Sequence, residues 1–252
     1  HLYYLCDLMK VMKTTDIITS KLNRFPQGYV FTYEDFHLEV ERKEAVIKAL
    51  NRMVASGKIE KLSKGKYYKP ERTPFGDLQP NQEQIVKDLL EDDGKLIGYL
   101  TCLSIYNKLG LTTQVSNTIQ IGKNVTAPAF KRNRYNISFI KQKNTITKDN
   151  IPMFQVLDAI RFIKKIPDST IEQSLKRLIA IIEEVPALDL YTIVRLALKY
   201  PPATRALLGA ILEDLGHIGF ILGLYKSLNP ITKYKIKGAD KILPNTQNWN
   251  II

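Results

Sequence analysis

RKEAVIKALNRMVASGKIEKLSKGKYYKP, residues Arg42 to Pro70, is the stretch whose reading decides the fold. Ala45, Val46, Ala49, Leu50, Met53 and Val54 recur at the spacing of one helical face, while Lys48, Asn51 and Arg52 fall on or beside the opposite face. Such a helix packs on one side and keeps the other open for binding. Gly57 follows the last periodic residue and precedes Lys58, as expected of a helix stop, because glycine accepts the left-handed backbone that closes a helix. Ile59 and Lys61, then Lys66 to Lys69, read as two short strands joined by the turn Ser63-Lys64-Gly65-Lys66, and Pro70 ends the unit.

Working outward, Ile17, Ile18, Lys21 and Leu22 mark a first helix within Lys13 to Asn23, with Thr14 or Thr15 as its cap and Phe25-Pro26-Gln27-Gly28 as its end. Tyr29 to Thr32 is a β-prone run, and Thr32 can cap a brief helix through Tyr33, Glu34, Asp35 and Phe36. Helix, short strand, short helix, helix and two-stranded wing is the order of a winged helix-turn-helix, expected here over residues 13–70. In that arrangement the third helix enters the major groove and the wing follows the backbone or the minor groove.

Charge agrees with a polyanionic partner. The 252 residues hold 37 Lys and Arg against 25 Asp and Glu, a net charge of +12. Residues 13–70 carry twelve of the cations against seven of the acids, so the surplus is densest in the first segment. The expected DNA contacts are Arg42 and Lys43 near the helix start, Lys48, Asn51 and Arg52 on its outer face, and Lys61, Lys64 and Lys66 in the wing. Wing lysines suit phosphate, whereas Asn51 and Arg52 are the types that read base edges bidentately. A solvated basic face, or a winged helix used as a protein–protein module, is the plainer reading of the same residues.

Glu71 to Asn81, with Thr73-Pro74, Gly76 and Gln79-Pro80, reads as a linker, which leaves residues 82–252 as a second domain. There Gln82 to Leu90 is a short helical stretch, Glu91-Asp92-Asp93-Gly94 a solvated turn, Leu103 to Leu109 a helix ending at Gly110, and Asn117 to Ile121 a strand. Lys123 to Lys148 holds seven basic residues and no acidic one, and Tyr135 to Lys141 alternates like a half-buried strand. Lys123, Lys131, Arg132, Arg134, Lys141 and Lys143 form a second candidate basic surface. A solvated basic hairpin is the favoured reading of these cations, and core packing explains Phe130 and Tyr135 beside them as well as stacking does.

From Ile151 the pattern is helical. Met153, Val156, Leu157, Ile160 and Ile163 form a stripe, Pro167 with Asp168-Ser169-Thr170 starts another helix, and further helices follow Pro186 and Pro201-Pro202. Close packing is the expected role of Gly216, Gly219 and Gly223 in the apolar run that follows, Tyr234 to Lys237 suggests a closing strand, and Trp249 is expected to pack near the end. The whole is an α+β chain: an N-terminal winged helix-turn-helix, then a mixed, mostly helical domain with a small β-sheet.

Several chemistries lack their residues. His1, His37 and His217 form no ligand-spaced cluster, so neither zinc nor a histidine base is expected. No phosphate-cradling glycine loop, nucleophile elbow or Gly-Ser turn with paired magnesium carboxylates is present, so neither a cofactor nor catalysis is expected. Cys102 has no base beside it and reads as a buried thiol. Cys6 and Cys102 make no disulfide framework, and no apolar run approaches the roughly 20 residues that span a bilayer, so the cytoplasm is the expected location. Met9 or Met12 is the expected natural start.

Lys13 to Pro70, with its Gly57-Lys58-Ile59 step and Lys64-Gly65-Lys66-Tyr67-Tyr68 wing, resembles the N-terminal winged helix of AbiEi-type antitoxins. The likeness continues through Tyr99-Leu100-Thr101, Leu109-Gly110-Leu111-Thr112-Thr113-Gln114 and the string from Leu157 to Asp168, LDAIRFIKKIPD. Cys102 departs from it, because that pattern has Gly after Tyr-x-Thr. The resemblance implies a bacterial antitoxin of a type IV toxin–antitoxin pair. Its N-terminal domain would bind operator repeats and repress its own operon through Lys43, Lys48, Asn51, Arg52, Lys64 and Lys66. Its C-terminal domain would oppose a nucleotidyltransferase-like toxin without a stable complex. An RNA-binding module centred on the second basic surface and an enzyme acting on nucleotides are the alternatives.

Overall fold

Ile17, Ile18 and Leu22 lie on one face of the first helix, α1 (Thr14–Arg24), and all three are buried. The structure is a computed structural model that describes residues 13–252, so the expectations attached to Cys6, Met9 and Met12 lie outside the described residues. Neither Thr14 nor Thr15 caps α1, which starts after Lys13 without a side-chain cap. Its C-terminal carbonyls are satisfied by a lysine instead, since Lys69 Nζ donates to the carbonyls of Leu22 and Phe25 at 3.3 and 3.1 Å.

Strand β1 (Val30–Phe31) leads into a 3-10 turn, Glu34–Phe36, started by a reciprocal cap. The Thr32 hydroxyl accepts from the Glu34 amide at 3.2 Å, and Asp35 Oδ2 accepts from the Thr32 amide at 2.7 Å. Helix α2 (Lys43–Ala55) follows a second 3-10 turn, Val40–Arg42. It buries Val46, Ala49, Leu50 and Met53 against Ile18, Leu22, Phe31, Phe36 and Ile59. Ala45, expected on that stripe, is exposed, because the buried arc of the helix is narrower than the apolar run suggests. Gly57 ends α2 as expected: at φ 68° its amide donates to Val54 O at 3.0 Å while the Lys58 amide donates to Met53 O at 2.9 Å, the paired bonds of a Schellman stop.

Strands β2 (Glu60–Ser63) and β3 (Lys66–Tyr68) form an antiparallel hairpin, and β1 pairs with the other edge of β3, giving the order β1-β3-β2. The stretch expected as a linker, 71–81, holds a second hairpin of β4 (Glu71–Thr73) and β5 (Gly76–Leu78). The chain divides into compact units later than expected, between Lys87 and Asp88. The reason is a single-turn helix, α3 (Gln82–Ile85), which belongs to the first unit: Gln84 Oε1 accepts from the Val30 amide at 3.1 Å. A further turn, α4 (Lys87–Leu90), spans the division.

In the second unit, β6 (Glu91–Asp92) and β7 (Lys95–Leu96) enclose the Asp93-Gly94 turn. A four-stranded sheet has the order β10-β11-β9-β8, from β8 (Gly98–Thr101), β9 (Thr118–Lys123), β10 (Phe130–Arg132) and β11 (Tyr135–Lys141). β9 and β11 run parallel and the outer pairs antiparallel. The helix expected over Leu103 to Leu109 is a 3-10 turn, Cys102–Ser104, followed by turns to Gly110. Cys102 at φ 49° starts it in left-handed backbone, which does not feed a regular α-helix.

The helical half follows the sequence expectation closely. α5 (Ile151–Arg161) buries Phe154, Val156, Leu157 and Ile160. α6 (Ile171–Glu183) opens with a full capping box between Thr170 and Gln173. α7 (Ala187–Ala197) and α8 (Pro202–Asp214) start after their prolines, and α9 (Ile218–Lys226) completes the set. The glycine expectation is corrected: a side chain at Gly216, Gly219 or Gly223 would meet no atom within 4 Å, so these glycines are not there for close packing. Gly216 holds a left-handed turn at φ 77°, while Ile218, Leu222 and Tyr225 of α9 are exposed. Gly209 in α8 does serve that purpose, with the Trp249 ring where its side chain would be. The closing strand expected at Tyr234 to Lys237 reduces to one parallel bridge, Tyr234 to Ile251.

Candidate nucleic-acid interface

The outer face of α2 and the β2–β3 hairpin hold the expected contact residues of the first unit. Lys48, Asn51 and Arg52 are exposed, and neither Lys48 nor Arg52 is ion-paired among the described residues. Lys64 and Gly65 form the two-residue tip of the hairpin, with Gly65 at φ 75° and Ser63 paired to Lys66 across it. Lys61 is exposed on β2 opposite Tyr67. The hairpin is tied to the outer face of α2 by the Tyr67 hydroxyl of β3, which donates to Asn51 Oδ1, while Met53, Leu62 and Tyr67 are buried.

Three expected residues are partly committed elsewhere. Arg42 is half-buried, with Nε 3.9 Å from Glu39. Lys43 Nζ lies 4.4 Å over the Tyr33 ring, and its contact with Tyr33 raises the lysine pKa above its ordinary value. Asn51 Oδ1 accepts from the Tyr67 hydroxyl at 3.1 Å. Glu44 lies in the first turn of α2, where it complements the helix dipole, Glu34, Asp35, Glu39 and Glu41 precede the helix, and Glu60 is the one acid of the hairpin. A 290 Å³ cleft beside Tyr33, Val40 and Lys43 has Glu34 and Glu39 on its wall. The electropositive part is therefore the second half of α2 with the hairpin. Lys21, Lys69 and Lys87, which add to the sequence surplus, bond internal carbonyls or the Tyr29 hydroxyl.

Sequence reasoning missed the second hairpin. Arg72 donates to Gly57 O, which fastens the hairpin to the stop of α2, and Phe75 at its tip is 100% exposed. The signal available was Thr73-Pro74-Phe75-Gly76, a turn sequence between β-capable residues, masked by the reading of Pro and Gly as a linker.

In the second unit the six expected cations do not form one surface. Arg132 is buried and makes a bidentate pair with Asp88 at 2.7 and 3.0 Å, so its charge is spent internally. Arg134 lies over the Tyr135 ring and donates to its hydroxyl, and Lys131 is exposed nearby on β10. Lys123 and Lys141 are paired at the other end of β11, with Lys143 just beyond. About six residues of strand, roughly 20 Å, separate the two groups. At the Lys141 end two residues not singled out in the sequence, Arg161 and Lys199, join the cluster and line a cleft of about 140 Å³.

Beneath that cleft is a buried polar network. Asp158 is 1% exposed and accepts from the Tyr99 hydroxyl at 2.8 Å and the Thr101 hydroxyl at 2.7 Å, with the Tyr200 hydroxyl also turned toward it. Burial pushes the Asp158 pKa up, and these hydroxyls and the Arg161 charge only partly offset that rise. Gln142 Nε2 donates to the hydroxyls of Tyr99 and Tyr200 at 2.9 and 2.8 Å. Cys102, beside Thr101, has its thiol pushed up to about 12, chiefly by burial. Among the described residues no three of His, Cys, Asp and Glu gather in a way that could hold a metal ion. No helix among them is long and apolar enough to cross a membrane.

Two compact units, one of helices on a three-stranded sheet and one of helices on a mixed four-stranded sheet, define an α+β protein with basic surfaces in both. Residues 17–186 match the model of a family of unknown function, DUF6088, and the chain belongs to that family. No curated protein matches it. Among solved structures, the RV2827C protein from Mycobacterium tuberculosis is similar over 95% of this chain and 91% of that one, with a TM-score of 0.48 and 14% identity.

Proposed function

We propose that the first unit is a winged helix that binds duplex DNA. We further propose that the chain is the antitoxin and autorepressor of a bacterial type IV toxin–antitoxin operon, working in the cytoplasm without a cofactor and without catalysis of its own. The observation that carries the DNA half is the exposure of Lys48 and Arg52 on α2, without an ion pair among the described residues, together with an exposed Lys64 at the tip of a hairpin that Tyr67 ties to Asn51 of the same helix. The element order supports reading α2 as a recognition helix and the adjoining hairpin as a wing. The antitoxin half is supported by the resemblance of the string Leu157 to Asp168. Its counterpart is a nucleotidyltransferase-like toxin opposed without a stable complex. The RNA-binding alternative loses support from the division of the second basic surface and the pairing of Arg132 with Asp88.

The test is titration of the full chain against duplex DNA from upstream of its own gene and against a scrambled duplex of equal length, at two salt concentrations. Specific binding should be lost in the Lys48→Ala, Arg52→Ala double variant. Specific binding that survives the double variant overturns the site, and equal binding to both duplexes overturns the repressor. The antitoxin half requires a nucleotidyltransferase-like gene beside this one, and either its absence or growth arrest by its product that co-expression of this chain does not relieve removes that half.

A further inference from the structure

The cleft at the C-terminal end of β11 has the features of a binding site in its own right. Three separate stretches of chain build it: Lys141, Gln142 and Lys143 where β11 ends, Arg161 as the last residue of α5, and Lys199 with Tyr200 between α7 and α8. Three stretches 18 to 58 positions apart in sequence thus present Lys141 with Lys143, Arg161 and Lys199 to one small volume. No carboxylate lines it, and none of the four is ion-paired among the described residues. Gathering like charges opposes folding, so the fold gains nothing from this convergence unless an anion is there to receive it.

Two of the cations are held and two are free to move. Lys141 Nζ donates to Asn124 O, and the Arg161 guanidinium lies 4.8 Å over the Phe162 ring. Lys143 and Lys199 are exposed, with no fixed partner among the described residues. The floor is rigid: Gln142 is 3% exposed and Tyr200 6%. Gln142 Oε1 accepts from the backbone and side-chain nitrogens of Asn144 at 2.8 and 3.1 Å, while Asn144 donates on to Leu196 O at 3.1 Å. The floor's hydrogen bonds are already made, so affinity must come from the charged rim. Asp158 beneath accepts from Tyr99 and Thr101 and does not line the cleft, and burial raises its pKa.

Size narrows the ligand. At about 140 Å³ the cleft is well below the roughly 300–1,000 Å³ of sites that enclose a whole drug-sized molecule. It takes a group. Planar Arg161 offers the fork that grips two oxygens of one anion, and the mobile ammonium groups of Lys143 and Lys199 can close over the rest. We propose that this cleft binds a phosphate group, either as a free phosphate or pyrophosphate anion or as the phosphates of a nucleotide. The cleft is built wholly from residues of the second unit, whereas the proposed DNA-binding residues belong to the first.

Calorimetric titration of the full chain with inorganic phosphate, pyrophosphate and ATP, at ionic strength held constant with sodium chloride, tests it. Pyrophosphate should bind saturably, and Lys143→Gln with Lys199→Gln should weaken it by at least about tenfold, since each charged hydrogen bond is worth on the order of 1.5–3 kcal/mol. Both lysines are exposed, so this variant should melt no lower than the parent. Lys131→Gln with Arg134→Gln, at the other end of β11, should bind pyrophosphate as the parent does, as should the Lys48→Ala, Arg52→Ala variant. Binding of pyrophosphate with ATP identifies nucleotide phosphates as the ligand, and pyrophosphate without ATP identifies the free anion. Heat indistinguishable from that of sodium chloride, unchanged binding in the Lys143→Gln, Lys199→Gln variant, or response to oligonucleotides alone overturns the proposal.

Discussion

The Tyr67 hydroxyl donates a hydrogen bond to Asn51 Oδ1 at 3.1 Å, so the hairpin strand β3 fixes an amide on the outer face of α2. Burial raises the Tyr67 pKa, which keeps the hydroxyl a donor at neutral pH. Tyr67→Phe keeps the ring and frees the amide. The expected stability loss is about 0.5–1.5 kcal/mol. In binding, Tyr67→Phe should change base preference at one position and leave the salt dependence alone. Lys64→Ala should do the reverse, lowering the slope of log affinity against log salt by about 1. A salt slope unchanged by Lys64→Ala would remove the hairpin tip from the phosphate backbone.

Asp158 contributes a pH dependence to the second unit. Its folded pKa lies above the ordinary carboxylate value because it is buried among Tyr99, Thr101, Cys102 and Tyr200, with Arg161 acting weakly in the other direction. The native state therefore holds this proton more tightly than the unfolded chain does. Its contribution to stability is complete below about pH 4 and declines as pH rises through the folded value. Asp158→Asn imitates the protonated carboxyl at every pH. The melting-temperature advantage of the parent over Asp158→Asn should thus be largest near pH 4 and shrink as pH rises. An advantage that grows with pH would mean that the hydroxyls around Asp158 stabilise its charge more than burial opposes it.

Gly209 and Trp249 close the C-terminal segment onto α8. A methyl group at position 209 would come within 2.1 Å of the indole ring, whose Nε1 donates to Glu213 at 2.8 Å. Alanine normally favours a helix over glycine by about 1 kcal/mol, whereas overpacking costs about 1–3 kcal/mol. Gly209→Ala should therefore lower the melting temperature. Trp249 is the single tryptophan, so a red shift of native fluorescence reports its displacement directly. A more stable variant with unshifted emission would contradict this packing.

Cys102 combines a deeply buried thiol with left-handed backbone at φ 49°. With its pKa near 12, it carries almost no thiolate at neutral pH and should resist thiol reagents until the chain unfolds, as a Cys6→Ser variant would show without interference. Cys102→Gly relieves about 1–2 kcal/mol of backbone strain and gives up a buried side chain of comparable worth. The two should nearly cancel. A loss well above about 2 kcal/mol would mean that the thiol packs more tightly than its backbone strains.

Legibility in the sequence followed the range of the physics. The Gly57 stop, the Thr170 cap and the proline-marked starts of α7 and α8 are settled within four or five residues, and each lies where the sequence placed it. The parallel pairing of β9 with β11 depends on a crossover through β10, and no local pattern encodes it. The same holds for the candidate surfaces. Lys48, Arg52 and Lys64 could be read from one helix and one turn, but Arg132 looked equally available until Asp88, 44 residues earlier, was found holding it. Arg161 and Lys199 had no sequence signal, because only the packing of α5 and the α7–α8 connection against β11 gives them a common neighbourhood. Exposed Ala45 and the open glycines of α9 show the opposite error, in which an apolar run extends beyond what the core covers.

The buried network also orders events on the ribosome. Asp158 is matched to Tyr99 and Thr101, 59 and 57 residues before it, and Gln142 reaches forward 58 residues to Tyr200. Translation at about 5–20 residues per second leaves the carboxyl waiting some 2–8 s for that tyrosine, with the later helices still to come. The first unit draws only on residues up to Lys87 and can be complete by then. A nascent chain should thus acquire its basic helix and hairpin while its second half is still immature, so slowing synthesis after Lys87 would lengthen the life of a half-folded species that has the first surface and lacks the second.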